Sequence, residues 1–242
     1  MSVVCPLCDK EYQEIGKHWY GSKCDYPEIS KEQKEVIAGI LMGDGTVSAF
    51  GENSNPKLSC GMINKEYLEY LNEEVFPILG NKVFLKKSGE EQATWHRESG
   101  FRPSADVSKY QDIFAWYTRN HPGLDEFADW YSSGEKVFPN DLEMTPLVMK
   151  HWFVGDGHFE TNEYSIGRVS ISTSNELNNK SKIERYFTSI GFDDFYWKTS
   201  ERQDGTKSGS INFSTELTED IFDYMGEPLP GFEYKWPKMD DK

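Results

Sequence analysis

The chain has 242 residues, 37% of them apolar and 14% aromatic, which excludes a disordered protein and leaves room for one large domain or two small ones. No apolar run approaches the ~20 residues that cross a bilayer, and Met1-Ser2-Val3-Val4-Cys5-Pro6 has no basic stretch followed by an apolar one, so neither a membrane partner nor a secretion signal is expected and the setting reads as cytoplasmic. The balance of 41 acidic against 26 basic residues, a net charge of −15, argues against nucleic acid, because phosphate neutralisation supplies much of the affinity of DNA-binding domains. Two accounts reconcile the acidity with a DNA partner: basic residues gathered on one face, or a salty host cytoplasm.

Residues 1–28 read as a first unit. Cys5-Pro6-Leu7-Cys8, His18 and Cys24 follow the spacing C-x2-C-x9-H-x5-C. Two thiolates on a tight knuckle with a His/Cys pair beyond them offer four soft ligands for tetrahedral zinc. A segment this short has too little core to fold without the metal. Cys60, in the alternating run Lys57-Leu58-Ser59-Cys60-Gly61-Met62, reads instead as a buried strand residue.

After the linker Tyr26–Ile29, Ser30 with Gln33 three residues on is a capping box, and a helix carries Val36, Ile37, Ile40 and Leu41. Gly39 and Gly43 share one face of it. Glycine weakens a helix interior, so two on one face predict the close approach of another backbone. A strand (46–50), a strand (57–63), a helix (65–79), a strand (82–87), a strand or long hairpin arm (93–108) and helical stretches near 111–119 and 124–131 are predicted next. The order is α-β-β-α-β-β-α.

The second half repeats it. Thr145-Pro146 is an N-cap with proline at the first helical position, and the helix runs to Val154. Strands near 158–161 and 168–173, a helix over 176–190, strands near 194–198 and 210–214, and a helix over 216–224 follow. The register agrees at three landmarks: Asn64 and Asn175 lie 20 and 19 residues after Asp44 and Asp156, Gly80 and Gly191 lie 36 and 35 after them, and Lys87 and Lys198 lie 43 and 42 after them. The chain therefore reads as an internal duplication with pseudo-twofold symmetry, residues 30–134 and 135–242.

Both opening helices end in Gly-Asp-Gly, at Gly43-Asp44-Gly45 and Gly155-Asp156-Gly157. An aspartate at the foot of an apolar helix is expensive to bury without a partner or a metal. One Asp-Gly after a helix is an ordinary C-cap and turn, but two at the same place in a duplicated unit point to function. Divalent metals on paired carboxylates activate water and neutralise a leaving oxygen, the needs of phosphodiester hydrolysis. Magnesium suits few carboxylates and several waters.

Ile37-Ala38-Gly39-Ile40-Leu41 followed by Gly43-Asp44-Gly45 resembles the signature helix of the LAGLIDADG homing endonucleases, in the single-chain, two-repeat form. Met144-Thr145-Pro146-Leu147 with Trp152-Phe153 resembles the second signature of one branch, His151 standing where glycine would lie. Glu135-Lys136-Val137-Phe138-Pro139 looks like that branch's lead-in, and Tyr234-Lys235-Trp236 like its ending. The resemblance covers nearly all of residues 30–237. It implies an α+β fold whose two αββαββα repeats form a saddle on the major groove of double-stranded DNA. It implies a monomeric endonuclease that makes a staggered double-strand break at a long specific target, with Mg²⁺ (or Mn²⁺) on Asp44 and Asp156. Lys87 and Lys198 resemble basic residues that organise water near the metals, a phosphate contact being the other role open to them.

On the predicted strands and hairpins, Lys57, Lys86, Arg97, Arg102, Arg168, Arg202 and Lys207 are the expected DNA contacts. Helices rich in residues such as Glu66, Glu69 and Glu73 would carry the acidic charge. Trp95, Trp116, Trp130 and Trp197 are expected in the core or over the sheet. No protein-splicing segment flanks the repeats, so a free-standing enzyme is expected. The rivals are a non-cleaving binder on the same scaffold, such as an intron maturase or transcription regulator, and an acidic interaction protein with a structural zinc.

Overall fold

The computed structural model describes residues 2–21, 24–49, 54–131, 135–162, 165–173, 176–201, 205 and 207–237, with only the backbone described for 161, 162, 165 and 166. The landmark Asn175 and the proposed contact Arg202 lie outside the described residues. Two compact units divide the chain: 1–29 with 45–125, and 30–44 with 126–242. Among the described residues no helix is long and apolar enough to cross a membrane.

The first unit opens with a small hairpin, β1 (Val3–Val4) and β2 (Glu11–Tyr12), followed by α1 (Ile15–Gly21). The knuckle between β1 and β2 closes through Cys5 N–H to Lys10 O (2.8 Å) and Asp9 N–H to Cys5 O (2.9 Å), with Asp9 left-handed at φ 56°. In the second unit, α2 (Lys31–Met42) begins at the Ser30/Gln33 capping box read from the sequence, and every residue from Val36 to Met42 is buried.

The first unit resumes with β3 (Thr46–Ser48), β4 (Lys57–Met62), α3 (Lys65–Tyr70), a wider π-type turn Leu71–Val75, β5 (Phe84–Lys87), α4 (Gly89–Glu98) and β6 (Ile113–Tyr117). The four strands form one antiparallel sheet in the order β3-β4-β6-β5. Leu58, Cys60 and Trp116 face the core, so Cys60 is the buried strand residue its alternation predicts.

The short α5 (Asp125–Ala128) leads into the second unit, where Thr145 caps α6 (Pro146–Asp156) through the Val148 N–H at 3.3 Å. The strands β7 (Gly157–Asn162) and β8 (Ser165–Ser172), the helix α7 (Lys180–Ser189), the strands β9 (Phe195–Glu201) and β10 (Lys207–Phe213) and the helix α8 (Thr218–Met225) complete it. The sheet order is β7-β8-β10-β9, the same topology as the first sheet. The architecture is α+β.

Two expectations fail between β5 and β6. Residues 93–108 are not a hairpin arm: α4 stands there, started by a second capping box in which Ser88 and Glu91 exchange hydrogen bonds. Residues 111–119 are not helical: the apolar run Ile113-Phe114-Ala115-Trp116-Tyr117 supplies the fourth strand. An apolar run of that length fits either a buried helix or a strand, and only its pairing to β4 and β5 decides. As a result Arg97 lies on α4 and Arg102 in the turn after it, on no strand. Trp116 and Trp130 are buried as expected, but Trp95 is 53% exposed.

Candidate active site and nucleic-acid interface

Helices α2 and α6 pack against each other inside the second unit, at glycines. A β-carbon on Gly39 would stand 2.5 Å from Val148 O and 2.7 Å from His151 Cβ. His151 therefore does not prevent close packing, because Gly39 makes room for it. The imidazole is buried, which holds its pKa far down, at about 3, with Lys150 adding to the effect, so the ring is neutral.

At the C-terminal ends of the two helices the contact is reciprocal. The Cβ position on Gly43 is 3.6 Å from Gly155 Cα and 3.7 Å from Asp156 Oδ2. The Cβ position on Gly155 is 3.5 Å from Gly43 Cα and 3.6 Å from Asp44 Oδ2. Each carboxylate thus lies against the glycine that precedes the other, so the fold brings the two sequence-predicted aspartates together.

Two lysines that the motifs do not single out complete the site. Lys136 Nζ donates to Leu41 O (2.9 Å) and Gly43 O (3.2 Å) and pairs with Glu176 at 2.8 Å. Lys235 Nζ donates to Val154 O and Gly157 O, both at 2.8 Å. Cations are favourable at these helix ends, where carbonyls lack intrahelical partners. The signal was in the sequence, since both lysines sit in the lead-in and ending segments, but nothing there shows that they reach the helix ends.

Burial raises the Asp44 pKa, opposed by Lys235 and Lys136. Burial, then Asp44 and then Glu176, push Asp156 up to about 7, against Lys136 and the Trp152 indole. Burial lowers Lys235 to about 8, against the pull of both aspartates. Three acidic groups thus share a partly desolvated place with two ammonium groups. A divalent cation suits that excess of negative oxygen donors.

The outer faces of the two sheets follow from strand alternation. In the first sheet Lys57 and Ser59 share a face with Tyr117, Thr46 and Ser48, and Lys86 Nζ lies 3.8 Å from the Cβ position of Gly61 on it. None of the strands β3 to β6 contains an acidic residue. In the second sheet Arg168, Ser170, Tyr196, Lys198, Ser210 and Asn212 share the outer face with Glu160. Each face lays a cation over a tyrosine: Lys57 at 4.6 Å from the Tyr117 ring, Arg168 at 5.8 Å from the Tyr196 ring. Lys207 lies opposite Glu201, on the other side of β10 from Ser208 and Ser210. Lys87, at the end of β5, stands over the Trp95 ring at 4.8 Å.

The sequence model of the LAGLIDADG DNA endonuclease family matches residues 34–221. The chain belongs to that family. Among solved structures it is similar to the homing endonuclease I-WcaI bound to its DNA recognition sequence, at 16% identity over 87% of this chain and 88% of that one, with a TM-score of 0.66. It is more loosely similar to I-DmoI in complex with DNA and Mn, at 11% identity over 82% and 98%, TM-score 0.48. No curated protein sequence matches significantly.

This LAGLIDADG chain also carries the N-terminal Cys/His cluster. The ligand atoms of Cys5, Cys8, His18 and Cys24 all lie within 4.8 Å of one another, and none of the cysteines forms a disulfide. Cys8 Sγ is 3.5 Å from His18 Nε2, and the Tyr12 ring stacks on His18 at 3.8 Å. Zinc–ligand bonds of about 2.0–2.3 Å span a tetrahedron of comparable size.

Proposed function

We propose that the chain is a site-specific DNA endonuclease that makes a staggered double-strand break at a long target by metal-dependent phosphodiester hydrolysis. The observation that carries this is the reciprocal placement of Asp44 and Asp156, one carboxylate per repeat, at glycine-packed helix ends. Asp44 and Asp156 would hold Mg²⁺ or Mn²⁺, which when bound supplies an activated water and neutralises the leaving oxygen. Lys136 and Lys235 fix the helix ends that carry the aspartates. Lys198 and Lys87 take the water-organising or phosphate-contact roles.

Lys57, Lys86 and Arg168 contact the duplex from the sheet faces, with Arg97 and Arg102 as contacts beyond the strands and Arg202 as a further one, while Lys207, on the other side of β10, is not among them. The serine, threonine and asparagine side chains beside them read base edges, as a β-ribbon in the major groove allows. That I-WcaI is bound to its DNA recognition sequence supports double-stranded DNA as the partner here. Cys5, Cys8, His18 and Cys24 hold one structural zinc. The protein acts as a monomer in a cytoplasm reducing enough to keep those thiols available.

Selecting cleaved sites from a randomised duplex library with Mg²⁺ tests the reading. A recovered consensus cut on both strands supports it. Binding without cleavage under any divalent metal would move the chain to the non-cleaving binders, and no binding at all to the acidic interaction proteins.

A further inference from the structure

Within the first unit, the α1 segment docks beside the first sheet and leaves a cleft of about 430 Å³ between them. The junction is made by specific contacts. His121 Nε2 is 2.8 Å from Pro27 O, the Tyr26 and His121 rings meet edge to face at 5.1 Å, and Asn55 donates to the Tyr26 hydroxyl at 3.0 Å.

The lining is unusual for a chain of net charge −15. Among the described residues it contains three cations, Lys17, Lys57 and Arg119, three tyrosines and three asparagines, and no carboxylate. The comparable cleft of the second unit, about 300 Å³, is lined by four carboxylates and two lysines. Arg119 is fixed in place, donating to Ile78 O at 2.9 Å and to Gly80 O. Tyr20 is 75% exposed, and Lys17, also exposed, makes a solvent-screened pair with Glu14, which lies just before α1.

Lys57 and Tyr117 belong both to this cleft and to the outer face of the first sheet. The sheet face and the cleft therefore share a cation and a hydroxyl, and the described residues around them add further cations, hydroxyls and amides.

We propose that this cleft is a second DNA-binding element, a clamp for the phosphodiester backbone of the duplex flanking the first-repeat half of the target. The proposal rests on the endonuclease reading, since it extends the same duplex past the sheet. Cations and neutral donors, with no carboxylate among the described lining residues, are the chemistry that recognises phosphate oxygens, and such interactions add affinity and set register without reading sequence. The N-terminal module thereby gains a role beyond folding: it supplies Lys17 and Tyr20 as one wall of the clamp.

The test is a salt titration of binding to a mixed-sequence duplex by the full chain and by Lys17→Glu, Lys17→Gln and Tyr20→Ala. Lys34→Glu, a reversal on α2 outside the cleft, is the control. All of these positions are exposed or partly so, and unchanged thermal melts confirm folding. The clamp predicts weaker binding for all three cleft variants and not for the control, with the logarithmic salt slope of the Lys17 variants shallower by roughly 0.9 for each phosphate no longer neutralised. Wild-type binding with cleft variants indistinguishable from it would overturn the clamp and leave the endonuclease standing. A wild-type protein that binds no duplex would overturn both.

Discussion

Lys136 and Lys235 stand in the same relation to the two signature helices. Lys136 closes the end of α2 at Leu41 O and Gly43 O, and Lys235 closes the end of α6 at Val154 O and Gly157 O. The likeness of the two helix ends thus extends beyond the aspartates to the cations that hold the terminal carbonyls, although both lysines come from the part of the chain after residue 134.

Lys136→Met should destabilise the fold as well as the site. It removes the partner of Glu176, whose side chain is 6% exposed, and strands two carbonyls. Breaking a pair buried to this degree costs roughly 3 kcal/mol. A thermal melt should show a clear drop in Tm, and an unchanged melt would deny the lysine this structural role.

Asp44→Asn and Asp156→Asn should each abolish double-strand cleavage while leaving duplex binding largely intact. The amide keeps shape but loses the charge a divalent metal needs. Gel analysis of a supercoiled target plasmid is the readout. Full cutting by either variant would refute the assignment, and a nicked product from one would mean partly independent sites.

The metal-free protein should lose stability as pH rises from about 4 to about 7. The Asp156 carboxyl titrates near 7 in the fold against an ordinary 3.8, so across that window the folded state holds a proton the unfolded state has released. Unfolding is then favoured as pH climbs. Asp156→Asn should flatten this part of the stability profile, and Mg²⁺ should raise the wild-type Tm most above pH 7. Denaturant melts at stepped pH, with and without Mg²⁺, measure it.

Purified protein should contain one zinc per chain. Cys8→Ser should lose it, because its sulfur is one of four ligand atoms within 4.8 Å of one another. Elemental analysis decides, and metal content unchanged in the variant would place the zinc elsewhere.

Gly39→Ala should lower Tm although alanine is the better helix former. Helix propensity favours alanine by about 1 kcal/mol. The new β-carbon would stand 2.5 Å from the Val148 carbonyl, a backbone atom that cannot swing aside. Overpacking of this kind costs about 1–3 kcal/mol, so the clash outweighs the propensity.

The sequence by itself determined the features whose cause is local or repeated. Ser30 with Gln33, and Thr145 with Pro146, start their helices through their own side chains and backbone. The paired Gly-Asp-Gly ends declare the duplication, and Gly39 announces a close neighbour because nothing local rewards a glycine there. The Cys5, Cys8, His18 and Cys24 spacing also marked out four side chains that the fold gathers within 4.8 Å of one another.

Only the tertiary structure decided the rest. Ile113–Tyr117 is a strand because β4 and β5 offer it hydrogen-bonding edges, and those edges are remote from it along the chain. It sets α4 apart from the strands and moves Arg97 and Arg102 off the sheet. Lys207 falls on the far side of β10 because its register with Glu201 fixes the alternation. Lys136, Lys235 and the α1 cleft became visible only once distant segments were brought together, because what defines them is position in space, which spacing along the chain does not encode.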